Sequence, residues 1–145
     1  MGMFDALHVS ASGLSAERLR MDVTAENLAN AQTTRGADGQ PYRRRDVVLQ
    51  QAGGSGFGAA LQGAMGGGDS RGVQVAGIVE DQAPARRIYD PSHPDADAQG
   101  YVSMPNVNPV TEMVDLITAQ RAYEANVTAM QAAKGMFLKT LDLLR

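Results

Sequence analysis

The chain has no cysteine and no tryptophan, and aromatic residues make up only 5% of its 145 positions. Without cysteine, a disulfide, a thiolate nucleophile and a cysteine-based metal site are all excluded. The shortage of large side chains, beside 16 glycines, predicts a thin apolar core for a chain of this length. The composition therefore does not favour a free-standing globule.

The chain also lacks excess positive charge and long apolar runs. Its formal net charge is −3, which gives no electrostatic reason for binding nucleic acid or an anionic membrane. No stretch approaches the roughly 20 apolar residues that span a bilayer, so we expect no membrane insertion. Asp5, Glu17 and Arg18 interrupt the N-terminal segment, which predicts that any export uses a route without a cleaved signal peptide.

Apolar residues are instead present at heptad spacing near both ends of the chain, and we call these two rows the seams. The N-terminal seam contains Phe4, Leu7, Ala11, Leu14, Met21, Ala25 and Leu28. The C-terminal seam contains Met113, Leu116, Tyr123, Val127, Met130, Phe137, Leu141 and Leu144. Such rows predict helices over 3–30 and 109–144, each buried against another helix of the same chain or of a neighbour.

Local signals mark where these helices start and stop. Asn108 is a good N-cap, Pro109 suits the first helical position, and Glu112 lies near the positive end of the helix dipole. The first helix is expected to fade over 30–34 and to end by Gly36. Three polar residues interrupt the seams and either extend to solvent or select the helix register: Arg18, Gln120 and Lys134.

The middle of the chain is rich in turns and short extended segments. Asp38-Gly39 predicts a hairpin turn before a strand over 42–50, and alternating valines predict another strand from Val73 to Val79. Further short extended pieces are expected at 88–89 and 101–102, with a turn over 90–95 between them. The Gly-rich segment 53–68 is predicted to be a flexible tip.

These patterns predict a mainly α fold, an antiparallel, coiled-coil-like pair of long terminal helices with an extended, partly β middle. The segments are an N-terminal helical region over 3–34, the middle region over 35–107 with its tip at 53–68, and a C-terminal helical region over 108–145.

Candidate chemical sites are few, and each has a simpler structural interpretation. His93 lies near Asp90, Asp95 and Asp97, but a single histidine without a second close to it seldom builds a metal site; the other histidine, His8, lies on the first helix. The Gly-rich run lacks the Gly-Lys-Ser/Thr ending of a phosphate-binding loop. We therefore expect no cofactor, no metal and no enzyme activity.

The basic run over 43–45 has two possible interpretations. It is either a solvated strand edge, which discourages unwanted strand pairing, or a contact for an acidic surface on a partner subunit.

Longer motifs resemble the family of bacterial flagellar rod and hook proteins, and within it the proximal-rod subunits. The N-terminal motifs are 12–16 and 25–34, the C-terminal motifs are 108–117 and 120–126, and the matching middle segments are 72–81, 89–97 and 100–108. The residues that carry the terminal motifs are Asn27, Asn30, Thr33, Asn108, Pro109, Glu112, Arg121, Tyr123 and Asn126.

The resemblance implies a structural subunit of the flagellar basal-body rod. Such subunits assemble helically around the export channel, transmit torque, and leave the cell through the flagellar type III export apparatus. The implied partners are copies of the chain itself and adjacent proximal-rod proteins. The alternative from another class is a soluble helical adaptor or chaperone of a cytoplasmic partner, which shares the seams but does not need the Asn-rich motifs.

We predict that Val127→Asp abolishes rod assembly and swimming while the protein is still made. The charge would be buried at the seam without a partner, at a cost of several kcal/mol in each subunit. Glu124→Lys and Thr128→Lys, at flanking positions, should be milder. Motility and basal-body recovery of the three variants, compared side by side, test the assignment. Normal swimming of Val127→Asp, or equal failure of all three, would contradict it.

Overall fold

A computed structural model describes residues 3–36, 38–53 and 72–143. Helix α1 runs over Met3–Ala29 and helix α2 over Pro109–Leu143. The described residues between them form four strands: β1 at Arg45–Gln51, β2 at Val73–Glu80, β3 at Arg86–Tyr89 and β4 at Tyr101–Met104. The predicted mainly α fold is confirmed, whereas the division at 34/35 and 107/108 stays a prediction.

Side chains form hydrogen bonds at the start of α2, where the sequence predicts the N-cap Asn108, and at the end of α1. The Asn108 side-chain oxygen accepts the N–H of Val110 at 3.0 Å, so Asn108 is the N-cap and Pro109 is the first residue of α2. At the end of α1, Asn30 donates to the carbonyl of Glu26 at 2.9 Å and accepts the hydroxyl of Thr33 at 3.1 Å. The Asn108 bond satisfies one of the N–H groups that the start of a helix leaves open.

The strands form two separate two-stranded sheets, β1 with β2 and β3 with β4. Beyond the ends of the first pair, Asp81 donates its N–H to the carbonyl of Arg44 and Ala52 donates to Gly72, both at 2.7 Å. The second pair is antiparallel, with Arg86 opposite Met104 and Tyr89 opposite Tyr101. The predicted extended segments at 73–79, 88–89 and 101–102 are confirmed. The first strand begins three residues later than predicted, at Arg45.

The predicted hairpin at Asp38-Gly39 is wrong, although the turn itself is present. Gly39 has a φ of +72°, a conformation that favours glycine, and its N–H bonds the carbonyl of Gly36 at 3.0 Å. Among the described residues no strand lies between α1 and β1, so this turn does not join two strands. The sequence signal identified the backbone bend but not the element that precedes it.

The predicted turn that follows Tyr89 is held by its own aspartates. Asp90 accepts the N–H and the hydroxyl of Ser92 at 3.1 and 2.6 Å, which lowers the pKa of its carboxyl group. Asp97 accepts the N–H of Tyr101 at 2.9 Å, and this bond, followed by others that include Arg87, lowers the pKa of Asp97. These bonds place the ends of β3 and β4 side by side.

The chain divides into two compact units. The first unit comprises Met1–Leu19, Val48–Gly77 and Ala119–Arg145, and the second comprises Arg20–Val47 and Ile78–Thr118. Within the first unit, the rings of Phe4 and Phe137 meet edge to face with centroids 6.2 Å apart, and Gly13 lies against Asn126. These two contacts show that the helices pair antiparallel there. After Gly53, the predicted flexible tip 53–68 lies outside the described residues.

The buried apolar side chains are small, as the composition predicts. Among the described residues, and apart from Pro105, they belong to alanine and valine: Ala16, Val23, Ala31, Val47, Val102, Val107, Ala119 and Ala133. The largest fully buried side chains are Glu112, Asn27 and Pro105. Two of these three are polar, so the interior of the described chain depends strongly on hydrogen bonds.

Gly72→Ala tests the close approach of the chain to α1 in the first unit. A Cβ at Gly72 would overlap the hydroxyl oxygen of Ser12 and lie 3.0 Å from the Ser12 Cβ, whereas a Cβ at Gly77 meets nothing within 4 Å. The Ser12 hydroxyl also accepts the N–H of Val73 at 3.0 Å, so it has little freedom to move. We expect Gly72→Ala to destabilise the protein by about 1–3 kcal/mol.

The measurement is the urea midpoint of the purified protein, with Gly77→Ala, five residues further along in β2, as the matched control. Equal midpoints for the two variants would show that the close contact is not maintained in solution.

Candidate functional site

In the second unit, Asn27 has all of its side-chain hydrogen-bonding capacity satisfied. Its amide nitrogen donates to the carbonyl of Arg45 at 2.8 Å and to Glu112 Oε2 at 3.1 Å. Its oxygen accepts the Tyr42 hydroxyl and the Arg45 N–H, both at 2.9 Å. An amide offers two donors and two acceptor sites, so Asn27 can occupy this position in one orientation only.

Glu112 is the charged centre of the same group. Its side chain is 1% exposed, and its second oxygen, Oε1, accepts a bond of 2.6 Å from Arg44 Nε. Arg44 also lies 3.4 Å from a carboxylate oxygen of Asp115 and 3.6 Å from one of Asp46. The bond to Glu112 raises the pKa of Arg44. We name Asn27, Tyr42, Arg44 and Glu112 the polar junction.

The polar junction joins three parts of the second unit. Asn27 belongs to α1, Glu112 to the first turn of α2, and Tyr42 and Arg44 to the segment that leads into β1. Burial, followed by the charge of Glu26, raises the pKa of Tyr42, so its hydroxyl stays protonated and donates to Asn27. The backbone of Arg44 is held as well, because its N–H bonds Asn106 Oδ1 at 3.0 Å.

Neither interpretation of the basic run Arg43–Arg45 is correct for its central residue. Arg44 lies before β1 and is only 23% exposed, and its guanidinium is paired with Glu112 inside the same chain. Arg45 pairs at the surface with Glu26 at 3.0 Å and Glu80 at 3.6 Å, where ion pairs stabilise little. Arg43 is exposed and bonds Gln82 at 3.4 Å.

The acidic turn around His93 uses its side chains for local hydrogen bonds. His93 Nδ1 accepts the N–H of Asp95, and Asp95 accepts the hydroxyl of Thr34 at 2.8 Å. Within residues 3–36, 38–53 and 72–143, no group of three or more histidine or acidic side chains is placed to hold a metal ion. In the same residues, neither helix is long and apolar enough to cross a membrane.

The predicted seam residues differ widely in burial within the single chain. Half-buried members are Leu7, Leu14, Met21, Leu28, Leu116, Tyr123, Val127 and Met130. Exposed members are Phe4, Ala11, Ala25, Met113, Phe137 and Leu141, and the polar interruptions Arg18, Gln120 and Lys134 are exposed too. None of the described seam residues is fully buried, so their predicted role in assembly stays a prediction.

Three fully buried positions of α2 each lie one residue before a position of the C-terminal seam. Glu112, Ala119 and Ala133 are buried, whereas Met113, Gln120 and Lys134 are exposed. The inward face of α2 therefore carries a glutamate and two alanines beside half-buried seam residues. Because the seam was predicted to face a helix of this chain or of a neighbour, exposure of Met113 in the single chain leaves that prediction untested.

A second surface, the outer stripe, lies on the first turns of α2. It consists of Val110, Met113, Val114 and Ile117, and each of these side chains is between 46% and 64% exposed. Their spacing of i, i+3, i+4 and i+7 places them on one face of the helix. That face is opposite Glu112, since a helix turns by about 100° per residue.

The terminal motif residues have distinct local roles. Asn27 and Glu112 form the polar junction, Asn30 and Thr33 bond each other at the end of α1, and Asn108 and Pro109 begin α2. Arg121 is exposed, and Tyr123 and Asn126 are half-buried. The sequence did not indicate that Asn27 bonds Glu112 or that Arg44 pairs with Glu112. For Asn27 and Glu112, the sequence feature that pointed to a special role was their place in the terminal motifs.

Comparisons with known proteins identify related chains over the full length. A family model described as "Flagella basal body rod protein" matches residues 7–37, and one described as "Flagellar basal body rod FlgEFG protein C-terminal" matches residues 98–143. The flagellar basal-body rod protein FlgC of Bacillus subtilis is 50% identical, with 99% of each chain covered. FlgC of Borreliella burgdorferi is 43% identical (100% and 99% covered), and that of Aquifex aeolicus 40% (98% and 97%).

Asn27→Ala is expected to destabilise the protein by about 3 kcal/mol, because it leaves several buried donors and acceptors without partners. Asn30→Ala, three residues further along, removes two bonds near the surface and should cost about 1 kcal/mol or less. Urea unfolding of both variants measures the difference. If Asn30→Ala is as destabilising as Asn27→Ala, the polar junction contributes no more to stability than hydrogen bonds near the surface do.

Proposed function

This chain belongs to the family of flagellar basal-body rod proteins and is a structural subunit of that rod, and we propose that it assembles in the proximal rod. In this proposal its helices pack against those of copies of itself and of adjacent proximal-rod proteins. Contacts between two different faces of a subunit build an open helical array where the rotation between subunits does not close into a ring. The array would surround the export channel and transmit torque along its length.

The observation that carries this proposal is the outer stripe. Monomeric proteins seldom leave a contiguous apolar patch facing water unless a partner covers it. Here the exposed residues Val110, Met113, Val114 and Ile117 form a ridge along one face of α2. Such a ridge fits the groove of another helix, which is what a rod built from terminal helices requires.

Exposed seam residues in the first unit extend the same argument. Phe4, Phe137 and Leu141 are exposed although Phe4 and Phe137 touch each other. We infer that this apolar cluster also contacts neighbouring subunits. The half-buried seam residues, Val127 among them, would then become fully buried when helices of neighbouring subunits pack against them.

Export and location follow from the same proposal. A rod subunit acts in the basal body, so the chain has to cross the cytoplasmic membrane, and we propose the flagellar type III export apparatus as its route, without a cleaved signal peptide. The relatives are named as rod proteins, and we infer a structural rather than a catalytic role. The same relatives, matched over their full length, do not favour the soluble adaptor.

We expect Ile117→Glu to prevent rod assembly without destabilising the isolated subunit. Ile117 is 51% exposed in the single chain, so glutamate is tolerated there before assembly. At an interface with another helix the charge would be buried without a partner, at a cost of several kcal/mol per subunit. Swimming in soft agar, basal-body recovery, the intracellular protein level and the urea midpoint are measured together.

Thr111→Glu is the matched control, because it adds the same charge within the same turns of α2 but outside the outer stripe. We expect this control to swim like the parent strain. Normal basal bodies in Ile117→Glu cells would exclude the outer stripe as a rod interface.

A further inference from the structure

The first turns of α2 carry their more apolar face outward. The inward face holds Glu112 and Asp115 with Leu116, while the outward face holds the outer stripe of two valines, a methionine and an isoleucine. Burial of apolar surface is favourable, and burial of a carboxylate is costly unless it is paired. Hydrophobicity alone would therefore favour a helix turned by about half a revolution, with the outer stripe inside.

The polar junction opposes that rotation. Both oxygens of Glu112 have donors, Arg44 Nε at 2.6 Å and Asn27 Nδ2 at 3.1 Å. If α2 turned, Glu112 would leave and the donors of Arg44 and Asn27 would lose their acceptor inside the second unit. Hydrogen bonds depend on distance and angle, so they distinguish the two rotations, whereas apolar contacts distinguish them poorly.

We propose that the polar junction fixes the rotation of α2 about its own axis and so keeps the outer stripe free for a helix of a neighbouring rod subunit. Asn27, Arg44 and Glu112 are then positioning residues for the rod interface, although none of them lies on the outer stripe. The choice of a helix as occupant rests on the function proposed above and on the helical spacing of the outer stripe. A polar centre that selects one arrangement among several is a known use of buried polar groups.

The test replaces three of the four side chains of the polar junction by apolar side chains of similar size, Asn27→Leu/Arg44→Met/Glu112→Leu. Because the chain has no cysteine, a single introduced cysteine reports the exposure of one position by its rate of maleimide labelling. Val114→Cys reports the outer stripe, which is 57% exposed at that position, and Ala119→Cys reports the inward face, which is 1% exposed there.

With the native polar junction, the thiol of Val114→Cys should label like a free thiol and the thiol of Ala119→Cys should be protected. With the apolar replacement, we expect labelling at position 114 to slow by about tenfold and labelling at position 119 to rise by a similar factor, since a buried thiol reacts only during opening. Circular dichroism should show the same helix content in both backgrounds. Unchanged labelling at both positions would overturn the proposal.

Glu112→Gln keeps the experiment decisive if the triple variant fails to fold. It preserves the shape of the side chain but removes the charge that Arg44 pairs with, so both labelling rates should shift in the same directions by a smaller factor. If Glu112→Gln labels like the parent at both positions, the charged pair does not set the rotation and the proposal fails.

Labelling also separates this inference from the proposed function. The labelling rates concern the isolated chain and do not depend on the rod. If they shift as expected while Ile117→Glu still assembles normally, the junction fixes α2 but the outer stripe is not a rod interface. If they do not shift while Ile117→Glu fails to assemble, the interface stands and the role of the junction is rejected.

Discussion

The arrangement of the second unit depends on one buried carboxylate. Glu112 is almost inaccessible to water, and a charge in that position is tolerated only if donors reach both of its oxygens. Arg44 and Asn27 supply those donors, from the segment before β1 and from α1. This one requirement therefore fixes, within this unit, the relative positions of the start of α2, the end of α1 and the segment that leads into β1.

The same requirement explains how a chain with so few large side chains keeps a defined interior. The buried apolar groups are alanines and valines, and these contribute little area each. Apolar contacts between such small groups are also compatible with several neighbouring arrangements. Asn27, with every donor and acceptor used, excludes those alternatives because each would leave a buried polar group unpaired.

Local features of the fold were predictable from the sequence, and distant pairings were not. The helices, the N-cap at Asn108 and the extended pieces at 88–89 and 101–102 follow from periodicity and from residues close together in the chain. The inward position of Glu112 was not predictable, because the periodicity of one sequence does not show that a carboxylate has a partner. That partner, Arg44, is 68 residues away.

In an ordinary amphipathic helix, the apolar face is buried and the polar face is exposed. In the first turns of α2, different interactions act on the two faces. Hydrogen bonds fix the inward face within the chain, and the apolar residues of the outward face remain available for contact with a neighbour. Because the inward bonds do not need the apolar residues, the chain can hold its own arrangement without covering the surface that assembly uses. In a subunit that adds to a growing rod, this separation lets the interface exist before the partner arrives, and the association then adds stability by burying what folding left exposed.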